Sequence, residues 1–215
     1  VEALLFAQDG TRAHKLLARF PSELADSADG LFWRGATAAL LGRPQAASEL
    51  FRASLAKVPS EPARAWTELG KALFVLERFP EAIAAMREAV RIAPDDPDHR
   101  YWLAVALKDG GHLDEAIRIN RDLSVAHPNE PRIWRQLGYA QVLAARAPEG
   151  IEALERSLAL DPGQPRVWNA LMILYRAAGR RADLVRAHGN LRSLDAAMAE
   201  RAYLATIHPD EARPQ

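Results

Sequence analysis

The side chains of this sequence best suited to acid–base or metal chemistry are its histidines and two adjacent carboxylate pairs, Asp95-Asp96 and Asp114-Glu115. The histidines are His14, His99, His112, His127, His188 and His208. None forms the H-x3-H or H-E-x-x-H spacing that places two imidazoles on one helix face for zinc. The carboxylate pairs fall at predicted turns or helix starts, where acids complement the helix dipole. Neither set therefore predicts an acid–base dyad or a metal site.

Nucleophilic chemistry lacks its usual sequence patterns as well. The chain has no cysteine, which excludes disulfides, thiol catalysis and cysteine-ligated zinc or iron–sulfur sites. Neither the phosphate-binding pattern G-x-x-x-x-G-K-[ST] nor the nucleophile pattern G-x-S-x-G occurs. The sequence therefore predicts a protein that is not an enzyme and that binds no cofactor or metal.

Composition limits the class of protein further. Of 215 residues, 49% are hydrophobic, 28 are basic and 28 are acidic, so the formal net charge is zero. This balance favours a folded chain and gives no bulk attraction to nucleic acid or anionic membranes. No apolar run approaches the length of a transmembrane helix. We expect a soluble protein, cytoplasmic or periplasmic, and the start without Met suggests a piece of a longer chain.

A repeat organises the chain. Three residue series keep the same spacings of 35, 34 and 34 residues and a fixed phase to one another. They are Pro59, Pro94, Pro128 and Pro162; Gly35, Gly70, Ala104 and Gly138; and Ala47, Ala82, Ala116 and Gly150. Self-similarity at such a period is typical of a solenoid built from supersecondary units.

Each unit has the pattern of two amphipathic helices. In residues 63–96, the apolar face of a first helix is marked by Trp66, Leu69, Gly70 and Leu73. A turn is predicted at 77–80, and a second helix then buries Ala82, Met86 and Ala89. Pro94 ends that helix. The next helices begin near prolines, which the first turn tolerates, at Pro62, Pro97, Pro131 and Pro165.

The small residues have a packing role in this interpretation. Gly70 on the first helix and Ala82 on the second would let the two helices approach closely. One hairpin cannot bury its apolar face alone, whereas stacked copies can.

This pattern resembles the tetratricopeptide repeat (TPR) family. Its residues are clearest in Trp66, Leu69, Gly70, Leu73, Ala82, Met86, Ala89 and Pro94, and recur in Trp134, Leu137, Gly138, Leu154 and Pro162. In residues 97–130 the tryptophan position holds Arg100, and Trp102 is displaced by two. The resemblance implies an all-α, right-handed superhelical solenoid of about five repeats plus capping helices.

The domain organisation follows from the repeat. We expect a degenerate half-repeat or cap at 1–21, with helices at 1–8 and 11–20. The repeat array is 28–193, divided into 28–62, 63–96, 97–130, 131–164 and 165–193. A capping helix at 194–207 and a polar tail at 208–215 complete the chain.

The resemblance also implies a non-catalytic scaffold that binds a protein or peptide in a concave groove. In the family, positions 2, 5, 9, 12 and 13 of each unit commonly face this groove. The 25 matching positions carry seven basic and three acidic residues, which suggests an acidic or carboxylate-bearing segment as the ligand. The contact residues we predict are Arg64, Lys71, Tyr101, Lys108, Arg132, Arg135, Tyr139, Arg166, Asn169 and Arg176. A solvated arginine face that binds no ligand is the alternative.

Other functions remain open. The chain could be the non-catalytic TPR arm of a larger bacterial transferase or hydroxylase. Helical repeats that bind single-stranded RNA are disfavoured by the 34-residue period and the zero charge. The family's clamp for chaperone C-termini is not predicted, because asparagine is missing from its sites apart from Asn169. Self-association through Trp33, Phe79 and Trp102 is a further possibility.

Overall fold

In the computed structural model, which describes residues 2, 7 and 9–206, all regular secondary structure is α-helical. Thirteen helices run through this part of the chain, and we number them in order. They are α1 (Gly10–Leu17), α2 (Ser22–Ala25), α3 (Ala28–Leu40), α4 (Pro44–Ala56), α5 (Pro62–Val75), α6 (Phe79–Ile92), α7 (Pro97–Asp109), α8 (Leu113–Ala126), α9 (Pro131–Leu143), α10 (Ala147–Leu160), α11 (Pro165–Ala177), α12 (Arg181–Leu194) and α13 (Ala196–Thr206).

Prolines set several of the helix starts, as the sequence predicts. Helices α5, α7, α9 and α11 each begin on one of the four predicted prolines. The N–H that proline lacks has no partner within the first turn of a helix, so the residue costs nothing there. The predicted turn at 77–80 is two residues too long for the same reason, because Phe79 and Pro80 already belong to α6.

Five turns between paired helices share one backbone geometry. In each, a residue with positive φ follows the first helix, at Gly42, Glu77, Gly111, Ala145 and Gly179. The N–H of that residue bonds three residues back, and the next N–H bonds five residues back, as in Gly42 to Ala39 and Arg43 to Ala38. This is the Schellman arrangement, which satisfies carbonyls at a helix end.

The helices form two compact units, Val1–Glu115 and Ala116–Gln215. In the first unit, α3 packs on α4 and α5 packs on α6. Phe51, Leu73 and Met86 are almost fully buried there. The predicted inner face of α6 is confirmed, because Ala82, Met86 and Ala89 are each 0% exposed.

The second unit repeats this construction. Helix α9 packs on α10, α11 packs on α12, and α13 covers α11 and α12. Its core includes Leu154, Leu171 and Leu191. The predicted final helix at 194–207 is observed as Ala196–Thr206, and Ala199 and Ala202 are its buried residues.

Close helix contacts occur at the predicted small residues. A Cβ on Gly70 would lie 2.6 Å from Cγ of Met86 and 3.3 Å from the carbonyl oxygen of Ala82. A Cβ on Gly138 would lie 2.7 Å from Cγ of Leu154. The prediction that Gly70 and Ala82 let their helices approach is therefore confirmed.

Two tryptophans join consecutive repeats of the second unit. The indole N–H of Trp134 donates to the carbonyl of Pro128 at 2.8 Å, and that of Trp168 donates to Pro162 at 2.9 Å. Both rings are half-buried. Each proline closes one repeat, and each tryptophan belongs to the first helix of the next.

Both ends of the chain are partly outside the described residues. The helix predicted at 1–8 falls there except for Glu2 and Ala7, and the predicted tail at 208–215 falls there entirely. The helix predicted at 11–20 is observed as Gly10–Leu17. Among the described residues, no helix is both long enough and apolar enough to cross a membrane.

Candidate partner-binding surfaces

The predicted basic residues of the first unit are each paired with a neighbouring acid. Arg64 lies on α5, and its guanidinium contacts Glu61 at 2.8 Å and Glu2 at 3.1 Å. Burial is the largest single influence on the pKa of Arg64 and lowers it, but the two carboxylates together outweigh burial and raise it. The same guanidinium lies 5.3 Å from the ring centre of Phe32 and 5.4 Å from that of Trp33. Arg64 is therefore fixed between aromatic rings and carboxylates.

Lys71 and Lys108 follow the same rule. The ammonium of Lys71 contacts Glu68 at 2.7 Å and lies 4.8 Å from the ring centre of Trp102. Lys108 pairs with Asp109 at 2.5 Å. Local carboxylates therefore balance the basic charge expected on this unit.

Helix α7 presents different residues from those expected. Tyr101, predicted as a contact residue, is only 7% exposed and offers a partner little surface. The adjacent Trp102 is half-buried and stacks its ring edge-on against Tyr101. The displaced tryptophan thus lies beside Lys71 of α5, and the tyrosine turns into the core.

An apolar pocket of about 520 Å³ lies between α3 and α5, and we call it the α3–α5 pocket. Its apolar lining is formed by Phe32, Ala36, Ala39, Leu40, Ala72 and Val75. Leu40 and Val75 are 42% and 66% exposed, although both are large hydrophobic residues. Arg64, Glu68, Lys71 and Glu2 line the same pocket with charged groups. An apolar concavity with a few charged groups at its edge has the form of a ligand site.

A more polar recess lies between α5 and α7. Its centre is a 2.9 Å hydrogen bond between the Thr67 hydroxyl and Nδ1 of His99. The backbone N–H of His99 donates to the Asp96 carboxylate at 3.2 Å, which caps α7. These contacts stabilise the start of α7, and they explain His99 without a metal or a catalytic role.

In the second unit, α9 and α11 carry a basic surface that we call the α9–α11 surface, made of Arg135, Tyr139, Arg166 and Asn169. Arg135 donates to the Gln164 side-chain oxygen at 2.7 Å. Gln164 is itself buried and donates to the Ser157 hydroxyl at 3.0 Å. Arg135 is therefore positioned by an uncharged partner and keeps its full positive charge.

Tyr139 lies half-buried beside two of these cations. Burial raises the pKa of its phenol, and the positive charges of Arg135 and Arg166 lower it in part. Arg166 is exposed, and no carboxylate within the described ranges forms an ion pair with it. A phenol O–H flanked by two guanidinium groups can donate together with them to a carboxylate.

The remaining predicted residues of this unit lie close to α9 and α11. Arg132 is 3.4 Å from the Glu130 carboxylate. Asn169 is half-buried one turn along from Arg166. Arg176 is exposed and donates to the carbonyl of Ala205 at 2.7 Å, so it ties α11 to α13.

Several contributing residues were not predicted from the sequence. Glu61 and Glu68 precede Arg64 and Lys71 by three residues, a spacing that the sequence could have revealed as helical ion pairs. Gln164 precedes α11, and nothing in its position suggested that it would hold Arg135. Over residues 2, 7 and 9–206, no three His, Cys, Asp or Glu side chains are grouped to hold a metal ion.

Paired helices, repeated turns and exposed surfaces on the first helix of each pair define a helical-repeat protein of the kind that serves as a protein-interaction scaffold. Two sequence profiles described as tetratricopeptide repeat match the chain, one over residues 1–62 and 41–97 and the other over 73–138. The chain therefore belongs to the tetratricopeptide repeat family. No curated protein sequence matches the chain significantly.

Solved structures of bacterial TPR proteins share the fold. MamA from Desulfovibrio magneticus RS-1 is 19% identical, with a TM-score of 0.67 over 82% of this chain and 97% of that one. TTC0263 from Thermus thermophilus is 22% identical, with a TM-score of 0.64 over 84% and 100%. YrrB, described as a TPR protein with an unusual peptide-binding site, is 16% identical, with a TM-score of 0.64 over 84% and 93%. The predicted all-α TPR solenoid fold is thereby confirmed.

Proposed function

We propose that this chain is a non-catalytic interaction scaffold that binds an acidic, carboxylate-bearing segment of a protein partner at the α9–α11 surface. One observation supports this choice of surface. Arg166 is exposed and without an ion pair among the described residues, beside a half-buried Tyr139 and an Arg135 that only a neutral amide holds. By contrast, Arg64, Lys71 and Lys108 already have carboxylate partners.

The chemistry of this surface selects its ligand. A guanidinium presents parallel N–H donors that match the two oxygens of a carboxylate. Arg135 and Arg166 lie on different helices, so one acidic side chain could bridge them while the Tyr139 hydroxyl donates a third bond. The neutral Gln164 fixes Arg135 without cancelling its charge, so less conformational entropy is lost when the ligand binds. YrrB, by its description, also has a peptide-binding site.

A labelled peptide with four consecutive glutamates tests the proposal by fluorescence anisotropy. Arg166→Glu should weaken binding by about tenfold, since it replaces an attraction with a repulsion. The matched control is Arg156→Glu on α10, where an exposed arginine of the same unit is reversed. Equal affinities of the two variants would contradict the proposal.

Salt and ligand charge provide a second, independent measurement. Affinity for the glutamate peptide should fall as ionic strength rises, because exposed charges are screened. A peptide with glutamine in place of each glutamate should bind weakly and with little dependence on salt. An equally strong interaction with the glutamine peptide would point to a surface that recognises backbone or apolar groups instead.

A further inference from the structure

The α3–α5 pocket has the size and lining of a side-chain site. Its volume of about 520 Å³ exceeds that of any single side chain, and three alanines, Ala36, Ala39 and Ala72, leave this space open. Leu40 and Val75 contribute exposed methyl groups to its wall. Water gains little from such a wall, so an apolar group that replaces it is stabilised.

The charged edge of the pocket specifies what lies next to that apolar group. Arg64 is held over Phe32 and Trp33 at the edge, and its side chain remains 35% exposed. Its second carboxylate partner, Glu2, comes from 62 residues away in the sequence. Arg64 thus already binds an acid that a different chain segment brings to the pocket.

We propose that the α3–α5 pocket binds an apolar side chain of a partner peptide that is flanked by a carboxylate, and that Glu2 competes with this carboxylate for Arg64. The pocket supplies the burial and Arg64 supplies the charge complement. The Glu61 contact is local, within one turn of α5, and persists when Glu2 is displaced. Glu2 therefore lowers the affinity for acidic ligands without blocking the apolar part of the pocket. This inference does not rest on the α9–α11 surface.

Blocked dipeptides provide minimal probes. N-acetyl-Glu-Leu-amide should shift the NMR methyl signals of Leu40 and Val75 on titration, whereas those of Val125 should stay fixed. N-acetyl-Gln-Leu-amide lacks the carboxylate, and N-acetyl-Glu-Ser-amide lacks the apolar group. Each should bind more weakly than the Glu-Leu probe if both halves of the ligand are recognised.

Two matched valines test the pocket. Val75→Asp should reduce affinity for the Glu-Leu probe by about tenfold, because it puts a charge in the apolar wall. Val125→Asp is the control, since both valines are exposed, at 66% and 79%, and both lie at the ends of their helices. Equal affinities of these two variants and the unmodified protein would overturn the pocket as the site.

Glu2→Gln tests the competition. Its affinity for the Glu-Leu probe should rise by about threefold at low ionic strength, which is the range of an exposed ion pair, while that for the Gln-Leu probe should not change. Unchanged affinity for the Glu-Leu probe would overturn the role of Glu2. Arg166→Glu should leave binding of this probe unaffected, so failure at one surface is distinguishable from failure at the other.

Discussion

Gly138 on α9 and Gly150 on α10 face one another, and a Cβ on either would lie 3.0 Å from the carbonyl oxygen of the other. The backbones of the two helices are in contact at this point. A backbone carbonyl cannot turn away as a long side chain can. This hairpin therefore requires glycine on both helices, which is a stricter condition than the glycine-to-alanine pairing expected at Gly70 and Ala82.

Gly138→Ala should destabilise the protein despite the better helix propensity of alanine. Overpacking against Gly150 and Leu154 costs about 1–3 kcal/mol, whereas alanine gains about 1 kcal/mol in a helix. Gly189→Ala on α12 is the control, because nothing lies within 4 Å of its Cβ position. Chemical denaturation should show a lower unfolding free energy for Gly138→Ala and a higher one for Gly189→Ala. A gain in both would contradict the close approach.

Glycine should stabilise the two turns that lack it. Glu77 and Ala145 have φ values of 58° and 60°, at the turn positions where Gly42, Gly111 and Gly179 stand elsewhere. A left-handed conformation costs a non-glycine residue about 1 kcal/mol. Glu77→Gly and Ala145→Gly should therefore each raise the midpoint of thermal unfolding, since relief of this strain exceeds the entropy cost of glycine. Gly42→Ala, with open space around it, should lower the midpoint by a similar amount.

Ser157→Ala should cost more than the equivalent change in the first unit. The buried Ser157 hydroxyl donates to the carbonyl of Pro131 at 2.8 Å and accepts from the Gln164 amide at 3.0 Å. Ser54 makes only the first kind of bond, to Ala28 at 2.7 Å. We expect losses of about 2 and 1 kcal/mol in unfolding free energy, respectively. Ser157→Ala should also weaken binding of the glutamate peptide, because Gln164 positions Arg135.

Stability should depend on pH through Asp29. Its carboxylate accepts the hydroxyl of Ser60 at 2.5 Å and the backbone N–H of Ser60 at 2.9 Å, and these bonds lower its pKa. A lowered pKa in the folded state adds stability above the ordinary carboxyl value of about 4, and this stability is lost as the pH falls further. The difference in unfolding midpoint between wild type and Asp29→Asn should therefore narrow on acidification below about pH 4. A constant difference from neutral pH to about pH 3 would exclude this linkage.

The sequence predicts the fold well because its signals are local and repeated. Proline at a helix start, apolar spacing along Trp66, Leu69 and Leu73, and a glycine at each close contact all depend on residues within one repeat. The exposed contact surface is harder to predict, because it depends on side chains from different segments. Glu2 reaches Arg64 across 62 residues, and no spacing rule connects them.

Family positions alone also mislead where a helix departs from the pattern. Tyr101 falls on a position that commonly faces the groove, yet it is buried, because the tryptophan of α7 is displaced and Trp102 lies beside Lys71 instead. Charge counting fails for a related reason. The seven basic residues were counted without all their neighbours, and the acids that pair with Arg64 and Lys71, Glu61 and Glu68, lie outside the counted positions.

The bonds from Trp134 to Pro128 and from Trp168 to Pro162 have a consequence for how such a chain can lengthen. Each junction needs a donor from the later repeat and an acceptor from the earlier one. A duplicated segment therefore keeps both junctions intact only if it is a whole number of repeats, wherever the copied block begins. Recombination that preserves this phase adds new surface without new junction chemistry, and out-of-phase insertions lose an indole bond at every break.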